Sequence, residues 1–246
     1  MAVGTAVVFG ASGNVGRAAA LGFLTAGYRV VAVSRRSSGL DKLRGLAPPA
    51  ALADNRLVGV AGDIATPDGR SSILDAVDAA GAPPLTAVVS SFGPWLVTPA
   101  MSAVPADTYA GLWESNLHPH WHAWAALAPR MAKAGRDASY VIVSGAAGEA
   151  PGATGLVGVA AAALFALAKW AMAEAASWGD AGASVTELRI ALRVEDDAVV
   201  DAGDAAEGDD LKRSSTFAAV FPALVTAPPR KETVRVDGAE FIKLVG

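Results

Sequence analysis

The sequence predicts a single α/β domain in which helices cover both faces of a parallel sheet of about seven strands. Three observations lead to this prediction. Short runs rich in valine and isoleucine alternate with helical segments along the whole chain. Most of these runs are apolar almost throughout, which is typical of strands that are buried on both faces. At 246 residues the chain can bury one large core, and we identify no repeat or linker that divides residues 1–246.

The first half of the chain alternates strands with helices. The predicted strands are TAVVFG, YRVVAVS and RLVGVAGD, and the clearest helices are GRAAALGFLTAG and a segment from about Asp68 to Ala80. The opening MAVGTAVVFG lacks the charged start and the cleavage site of a signal peptide, so we interpret it as the first core strand. This order is the pattern of parallel strands joined by crossover helices.

The second half continues the alternation with the strands LTAVVSS, SYVIVSG, SVTELRI and ETVRVDG. Between them the sequence predicts a long helix around Tyr109 to Lys133, an apolar helix containing residues 158–170, and a helix near Ser215 to Val225. Pro119 removes a helical hydrogen bond and should kink the long helix. The acidic, glycine-rich segment 194–210 is predicted to be a mobile loop.

Composition limits the classes of function. The formal net charge is −4, so no basic surface is expected to bind nucleic acid or an anionic membrane. The absence of cysteine excludes disulfides and thiolate ligands, which fits a cytoplasmic protein. The apolar run Gly155 to Ala168 is shorter than the roughly 20 residues of a membrane span. We therefore expect a small-molecule substrate.

A glycine loop directly follows the first strand and opens the next helix. Glycines at this place permit a tight turn, close approach of the backbone to phosphate, and close packing of helix on strand. The N-terminus of the helix attracts a pyrophosphate. The predicted phosphate-binding residues are Gly10, Ser12, Gly13, Asn14, Val15 and Gly16.

The ends of the next strands add further candidate residues. Ser34, Arg35 and Arg36 end the second strand, where guanidinium groups favour the 2′-phosphate of NADPH over NADH. Asp63, after the third strand, is placed to contact adenine or to cap the following turn. The sequence thus predicts a Rossmann domain that binds NADPH. The residues expected to complete the cofactor site are Ile64, Ser90, Ser91 and Phe92.

Over essentially its whole length the chain resembles the short-chain dehydrogenase/reductase superfamily. The loop GASGNVG has GxxGxxG spacing, SSFG (90–93) stands where NNAG is usual, and NLHPHWHAWAALAPRM is similar to the superfamily's fifth helix. The resemblance places Asn116 at the asparagine of the active-site tetrad, and Ser144 or the adjacent Gly145 at its serine. It implies an oxidoreductase that uses a nicotinamide cofactor.

The catalytic tyrosine and lysine of that superfamily have no counterpart in this sequence. The alignment puts Gly158 and Ala162 at the two positions, and a shift by one residue gives Val157 and Ala161. Loss of a general acid typically costs about 10²–10⁴ in rate. Proximity to a bound nicotinamide can still contribute roughly 7–11 kcal/mol. The resemblance therefore implies an atypical reductase in which another group donates the proton.

His120 is the candidate side chain for that role. At 100° per residue it lies one helical turn beyond Asn116 and on the same side. A packed or interfacial histidine is the commoner alternative. His118 and His122 have the spacing of half a metal site, but no third ligand accompanies them, so no metal is predicted.

These features favour an NADPH-dependent ketoreductase that acts on an aromatic, polyketide-like ketone, because a ketone beside a phenol carries its own proton. Two alternatives stay open: non-redox chemistry on the same fold, as in a cyclase, dehydratase or isomerase, and a non-catalytic partner subunit. The apolar helix must be covered on more than one side. We therefore expect a homodimer or homotetramer.

Overall fold

The computed structural model describes residues 2–81, 83–98, 100–152, 155–179, 182–206, 208, 210–226 and 232–245. The strands of these ranges are β1 (Thr5–Phe9), β2 (Arg29–Ser34), β3 (Leu57–Ala61), β4 (Leu85–Ser90), β5 (Ser139–Gly145), β6 (Ser184–Ile190), β7 (Arg193–Glu195), β8 (Leu211–Arg213) and β9 (Thr233–Val236). Seven of them form one parallel sheet in the order β3-β2-β1-β4-β5-β6-β9. The predicted fold class is confirmed.

Helices cover both faces of this sheet. In the part of the chain that the structure describes they are α1 (Asn14–Thr25), α2 (Ser37–Leu46), α3 (Pro49–Ala53), α4 (Pro67–Ala80), α5 (Ala106–Asn116), α6 (His118–Ala134), α7 (Leu156–Ala176), α8 (Asp197–Asp201), α9 (Ser214–Phe217), α10 (Val220–Thr226) and α11 (Gly238–Val245).

The strand order reverses beside β1, and this reversal positions the site. β1 pairs with β2 on one side and with β4 on the other, because the chain returns past β1 after β3. Ligands of doubly wound sheets bind at the carboxyl ends of strands where the order reverses. The segments that follow Phe9 and Ser90 therefore flank the expected crevice.

Alternate residues of the strands enter separate core layers. Val8 packs in the layer that includes Phe23 and Phe221, whereas Val7 packs in the layer that includes Leu127. A strand places successive side chains on opposite faces, so both faces of β1 must be apolar to be covered. This explains why the predicted strands lack polar alternation.

The helix predicted around Tyr109 to Lys133 is two helices, α5 and α6, which meet at Leu117. Pro119 lies in the first turn of α6, where its missing N–H has no helical partner to lose. The predicted kink is therefore a complete break.

The segment 194–210, predicted as a mobile loop, contains regular structure. β7 pairs in parallel with β8, and α8 begins after Asp196, whose side chain accepts a hydrogen bond from the Ala198 N–H. Residues 207 and 209 lie outside the described residues. The mobility of this segment stays a prediction.

Helix α7 is longer than the apolar run that predicted it. Its 21 residues are long and apolar enough to cross a membrane by length and composition alone, a test that core helices of soluble proteins also pass. Leu164, Ala168 and Ala171 bury one side of it in the core. Val159 and Trp170, 41% and 78% exposed, lie on its uncovered side.

Candidate active site

Two glycines hold the loop after β1 in place. Gly10 has a φ of +70°, and a Cβ there would lie 1.7 Å from the carbonyl oxygen of Ser91. A Cβ at Gly16 would lie 2.2 Å from the carbonyl oxygen of Gly10. No side chain is tolerated at either position, so the loop packs on the end of β4 and α1 packs on the loop, as the glycine pattern predicts.

The first turn of α1 is open to an anion. Its N-cap is Gly13, which has no side chain to cap the helix, and the turn contains no acidic residue. Ser12 and Gly13 are exposed. The N–H groups of the turn are therefore available to phosphate oxygens. Arg35 and Arg36 are also exposed beyond β2. These residues fit the pyrophosphate and the 2′-phosphate of NADPH.

Other predicted cofactor residues have packing roles. Ser34 is buried, and its Oγ accepts a hydrogen bond from the Arg36 N–H at 3.4 Å. Ile64 is 2% exposed and belongs to one core layer, whereas Val15 is partly buried and packs against the other layer. Asp63 Oδ1 accepts from the Ala65 N–H at 2.9 Å, which is the turn-capping role predicted as one of its two options. Its contact with adenine stays a prediction.

Ser90 belongs to a buried polar group under the sheet. Its Oγ lies 3.0 Å from Nδ1 of His120, and both residues are at most 1% exposed. Nε2 of His120 has no hydrogen-bond partner among the described residues. Burial lowers the pKa of His120 to about 3, and it raises the pKa of Tyr140 nearby. The side chain of Ser90 is thus not free to contact a cofactor.

Phe92 covers this group from the crevice side. Its ring centroid lies 5.0 Å from that of His120 and 5.6 Å from that of Phe9, in edge and tilted contacts. Half-buried in this way, Phe92 packs on the protein rather than projecting freely toward a ligand. Ser91 contributes its backbone oxygen to the contact with Gly10.

His120 and Asn116 both contact the segment after β4, His120 at the Phe92 ring and Asn116 at Gly93. His120 is buried and neutral, which fits the packed histidine that the sequence leaves open as the commoner alternative. The amide of Asn116 donates to the Leu112 oxygen at 3.1 Å and to Ser115 Oγ at 3.0 Å. Its Oδ1 lies against Gly93, where a Cβ would approach within 1.9 Å. Asn116 therefore positions the turn after β4.

The hydroxyl group of Ser144 donates its hydrogen bond to a buried carboxylate. Its Oγ donates to Oε1 of Glu187 at 2.6 Å, and Glu187 is fully buried. Glu187 also accepts from Nε and Nη2 of Arg189, both at 3.0 Å, and from Thr233 Oγ1 at 2.8 Å. Since the Ser144 proton is held by this carboxylate, the expectation that Ser144 orients a carbonyl by donating to it is not supported.

The charge network continues to Glu149. Arg189 lies 3.6 Å above the Phe165 ring, and its Nη1 is 3.4 Å from Glu149 Oε1. Arg235 Nε lies 3.1 and 3.2 Å from the two oxygens of Glu149. The hydrogen bond from Arg235 holds the pKa of Glu149 below its usual value, against burial and with help from Arg189. Glu149 is therefore ionised at neutral pH.

A pocket of about 530 Å³ opens between the loop after β5 and the start of α7. Gly158 and Ala162, aligned with the superfamily's tyrosine and lysine, both line it. A Cβ at Gly148 would lie 2.5 Å from the Ala162 nitrogen, so the loop packs directly on the helix. Among the described lining residues, Glu149 carries the only ionisable side chain.

Sequence reasoning missed Glu187 and Arg189. Both occur in β6, two residues apart, so they share one face of a strand that is otherwise mostly apolar. Charged residues on a buried strand face must be paired. That spacing was the available signal, but the partners Ser144 and Thr233 are distant in sequence and no local pattern identifies them.

The sheet and the glycine loop after β1 together define a Rossmann-type α/β domain. A sequence profile of the short chain dehydrogenases matches residues 4–189, and the chain belongs to this family. It is an oxidoreductase family.

Individual relatives are distant. The chain is 26% identical over 145 residues to the short-chain dehydrogenase/reductase iacG of Pestalotiopsis fici, and the match spans 59% of this chain but only 57% of that relative. A structure of ElxO with NADP bound aligns with a TM-score of 0.78 at 15% identity, covering 97% and 99% of the two chains. A 3-ketoacyl-(acyl-carrier-protein) reductase from Brucella melitensis, complexed with NADH, aligns at 0.79 and 16%, covering 98% and 99%. The structural matches show a shared fold.

The low pKa of His120 predicts a specific dependence of stability on pH. Between pH about 6.5 and about 3, His120 is protonated in the unfolded state and neutral in the folded state. The free energy of unfolding therefore falls as the pH falls. When the pH falls from about 6.5 to about 5, the free energy of unfolding should decrease by roughly 2 kcal/mol less in His120→Gln than in the wild type. Urea unfolding at the two pH values measures the difference.

His118→Gln is the matched control, because His118 is exposed beside Glu114 on the same helical region. It should keep the wild-type pH slope. Equal slopes for His120→Gln and the wild type would contradict the assignment of His120 as a buried neutral group.

Proposed function

We propose that this protein is an NADPH-dependent ketoreductase whose substrate, a polycyclic or aromatic polyketide-like ketone, supplies its own proton. The observation that carries the proposal is the pocket at Gly158 and Ala162, which is open where relatives of the family place a tyrosine and a lysine. Its volume of about 530 Å³ is typical of small-molecule sites and suits a flat, fused-ring ligand.

The cofactor part of the proposal rests on the glycine loop and the paired arginines. Gly13 leaves the first turn of α1 uncapped for a pyrophosphate, and Arg35 and Arg36 suit a 2′-phosphate. The names of two structural neighbours, one with NADP bound and one complexed with NADH, support a nicotinamide cofactor here. When bound, NADPH supplies the hydride that reduces the carbonyl carbon.

The substrate is the proposed proton source because three nearby side chains are not suited to donate a proton. Glu149 is ionised, the Ser144 proton is held by Glu187, and His120 is sealed and neutral. A substrate with a phenol beside the ketone carries an internal hydrogen bond and can yield that proton as the alcohol forms. The phenolate then recovers a proton from water. Such a substrate avoids the cost of about 10²–10⁴ in rate that accompanies loss of a general acid.

One observation favours a second candidate, non-redox chemistry on the same fold. The carboxylates of Glu195 and Asp196 lie beside the first turn of α1, where negative charge opposes a pyrophosphate. A cyclase, dehydratase or isomerase that works without a dinucleotide could leave both carboxylates in place. Nucleotide binding separates the two candidates.

Nucleotide preference is the first test. The wild type should bind NADPH at least about tenfold more tightly than NADH, because charge-assisted hydrogen bonds to a phosphate contribute about 1.5–3 kcal/mol each. Arg35→Ala/Arg36→Ala should remove that preference and leave NADH affinity unchanged. Fluorescence titration with each nucleotide measures both affinities.

The double variant Lys133→Ala/Lys243→Ala removes the same charge from exposed positions on α6 and α11 and should keep the preference. Failure of the wild type to bind either nucleotide at millimolar concentration would refute the cofactor assignment and leave the non-redox candidate.

Substrate-assisted protonation is the second test. A hydroxylated polycyclic aryl ketone should be reduced, and its methyl ether, which has the same shape but no phenolic proton, should react about 10²–10⁴ times more slowly. Consumption of NADPH under saturating nucleotide measures both rates. Equal rates for phenol and ether would contradict proton donation by the substrate.

Gly158→Leu checks that this chemistry takes place in the pocket. The added side chain narrows the pocket, so the KM for the phenolic ketone should rise while NADPH affinity stays unchanged. Gly111→Leu is the matched control on α5, where a Cβ meets nothing within 4 Å. An unchanged KM in Gly158→Leu would place the substrate elsewhere.

A second copy of the chain is our proposed partner. Trp121, Val159 and Trp170 are 55%, 41% and 78% exposed on α6 and α7, and aromatic side chains exposed together favour an interface. A homodimer or homotetramer would cover the uncovered side of α7.

Trp170→Glu should therefore shift the protein toward monomers, because it would place a charge in the proposed interface. Sedimentation velocity across a concentration series measures the shift. Trp95→Glu changes a tryptophan that is 69% exposed in the loop after β4 and should leave the association state as in the wild type. Monomeric wild-type protein at all concentrations would refute the proposal.

A further inference from the structure

The chain places its own carboxylates at the phosphate end of the proposed cofactor site. Asn14, the first residue of α1, donates from Nδ2 to Glu195 Oε1 at 3.0 Å and to the Val194 oxygen at 3.2 Å. Asp196 Oδ2 accepts from Arg17 Nη2 at 2.6 Å and from Lys42 Nζ. Two acidic residues from the segment after β6 thus contact the opening of α1.

Arg17 connects this contact to the glycine loop. Its side chain is 4% exposed, and its Nη1 donates to the Ser12 oxygen at 3.2 Å. Its Nη2 also donates to Asn14 Oδ1 at 3.0 Å. The ion pair with Asp196, whose side chain is 14% exposed, is therefore largely shielded from water and adjoins the loop where phosphates would lie.

Both carboxylates are charged at neutral pH. Burial raises the pKa of Asp196, but the hydrogen bonds from Lys42 and the Ala198 N–H, with the charge of Arg17, hold it below its usual value overall. The Asp196 N–H is the largest cause of the lowered pKa of Glu195. Two negative charges consequently face a helix end that attracts anions.

The segment that carries them has internal hydrogen bonds and also packs on α1. β7 pairs with β8, Ser214 Oγ donates to the Glu195 oxygen at 3.0 Å, and the Ser215 N–H donates to Asp197 Oδ1 at 3.0 Å. These bonds join residues 193–215 to one another. Val194 also packs in the core layer that includes Phe23, so the backbone of the segment stays against α1. Rotation of the Glu195 and Asp196 side chains away from α1 would break their bonds to Asn14, Arg17 and Lys42.

We propose that Glu195 and Asp196 act as an internal competitor of the dinucleotide pyrophosphate, so that the nucleotide binds only when they leave α1. The Asn14 amide and the Lys42 ammonium cannot satisfy both sets of anions at once, and the two sets repel each other. The inference rests on the proposed function, because it assumes that a dinucleotide is the external ligand. It makes nucleotide affinity adjustable through the segment.

The test neutralises the competitor without removing its shape. Glu195→Gln/Asp196→Asn should bind NADPH, and also ADP, at least about tenfold more tightly than the wild type. Asp201→Asn/Asp204→Asn is the matched control, because it makes the same charge change in the same segment and Asp201 pairs with Arg213 rather than with α1. Its affinities should stay within about twofold of the wild type. Calorimetric titration of the full chain measures all of them.

Two further measurements guard against misfolding and indirect effects. Asp196→Asn takes the carboxylate from a buried arginine, which can destabilise the fold. Glu195→Gln alone keeps the pair of Arg17 with Asp196 and should show a smaller gain in affinity. In the wild type, saturating NADPH should increase hydrogen exchange of the Asp196 and Ala198 backbone amides, because each donates to one of the carboxylates that would rotate away.

The outcomes separate this inference from the proposed function. Equal NADPH affinity in the wild type and in both neutralised variants would overturn the competitor and leave the reductase proposal standing. A neutralised variant that binds NADPH or ADP, beside a wild type and a control that bind neither, would support the competitor and remove the reductase proposal for the native chain. Failure of every variant to bind either nucleotide would overturn both.

Discussion

The close approach of Gly10 to the backbone of Ser91 is the constraint on which the rest of the site depends. It joins the carboxyl ends of β1 and β4 at the point where the strand order reverses, and Gly16 then seats α1 on the same loop. The direction of α1, and so of its uncapped first turn, is fixed by backbone contacts that tolerate no side chain. Backbone contacts alone therefore give the loop and the first turn of α1 a geometry that suits a phosphate.

At the wall of the pocket beside α7, acidic and basic side chains are paired with one another. The carboxylate of Glu187 accepts four hydrogen bonds in the interior, and Arg189 and Arg235 compensate Glu149 at the pocket wall. An arrangement of this kind holds a wall rigidly, because removing one member leaves an unpaired buried charge. The carboxylate of Glu149 is ionised and the Ser144 proton is bonded to Glu187, which is why the proposed function takes its proton from the substrate.

The sequence predicts the sheet well because buried parallel strands are unbroken apolar runs, a signal that is local and strong. All seven central strands were identified in this way. Glycine spacing likewise predicts the loop after β1. Helical spacing indicates on which side of the helix His120 lies but not that it is buried, because its burial comes from Ser90 and Phe92, which are distant in sequence.

Contacts between distant segments explain the remaining differences. Ser144 and Glu187 lie 43 residues apart, and Asn14 and Glu195 lie 181 residues apart. The local sequence around each of these residues does not indicate its distant partner. The acidic segment was predicted as a mobile loop because its composition is polar and rich in glycine, and composition does not reveal that its first carboxylates find cations on α1 and α2.

The contact between Ser144 and Glu187 also limits how this site could be redesigned. Gly158→Tyr/Ala162→Lys would not by itself free the hydroxyl group of Ser144. The serine proton would still belong to Glu187, and Gly148 would still press the loop onto the helix backbone. A redesign of this site would therefore have to change β6 and the loop after β5 together with α7.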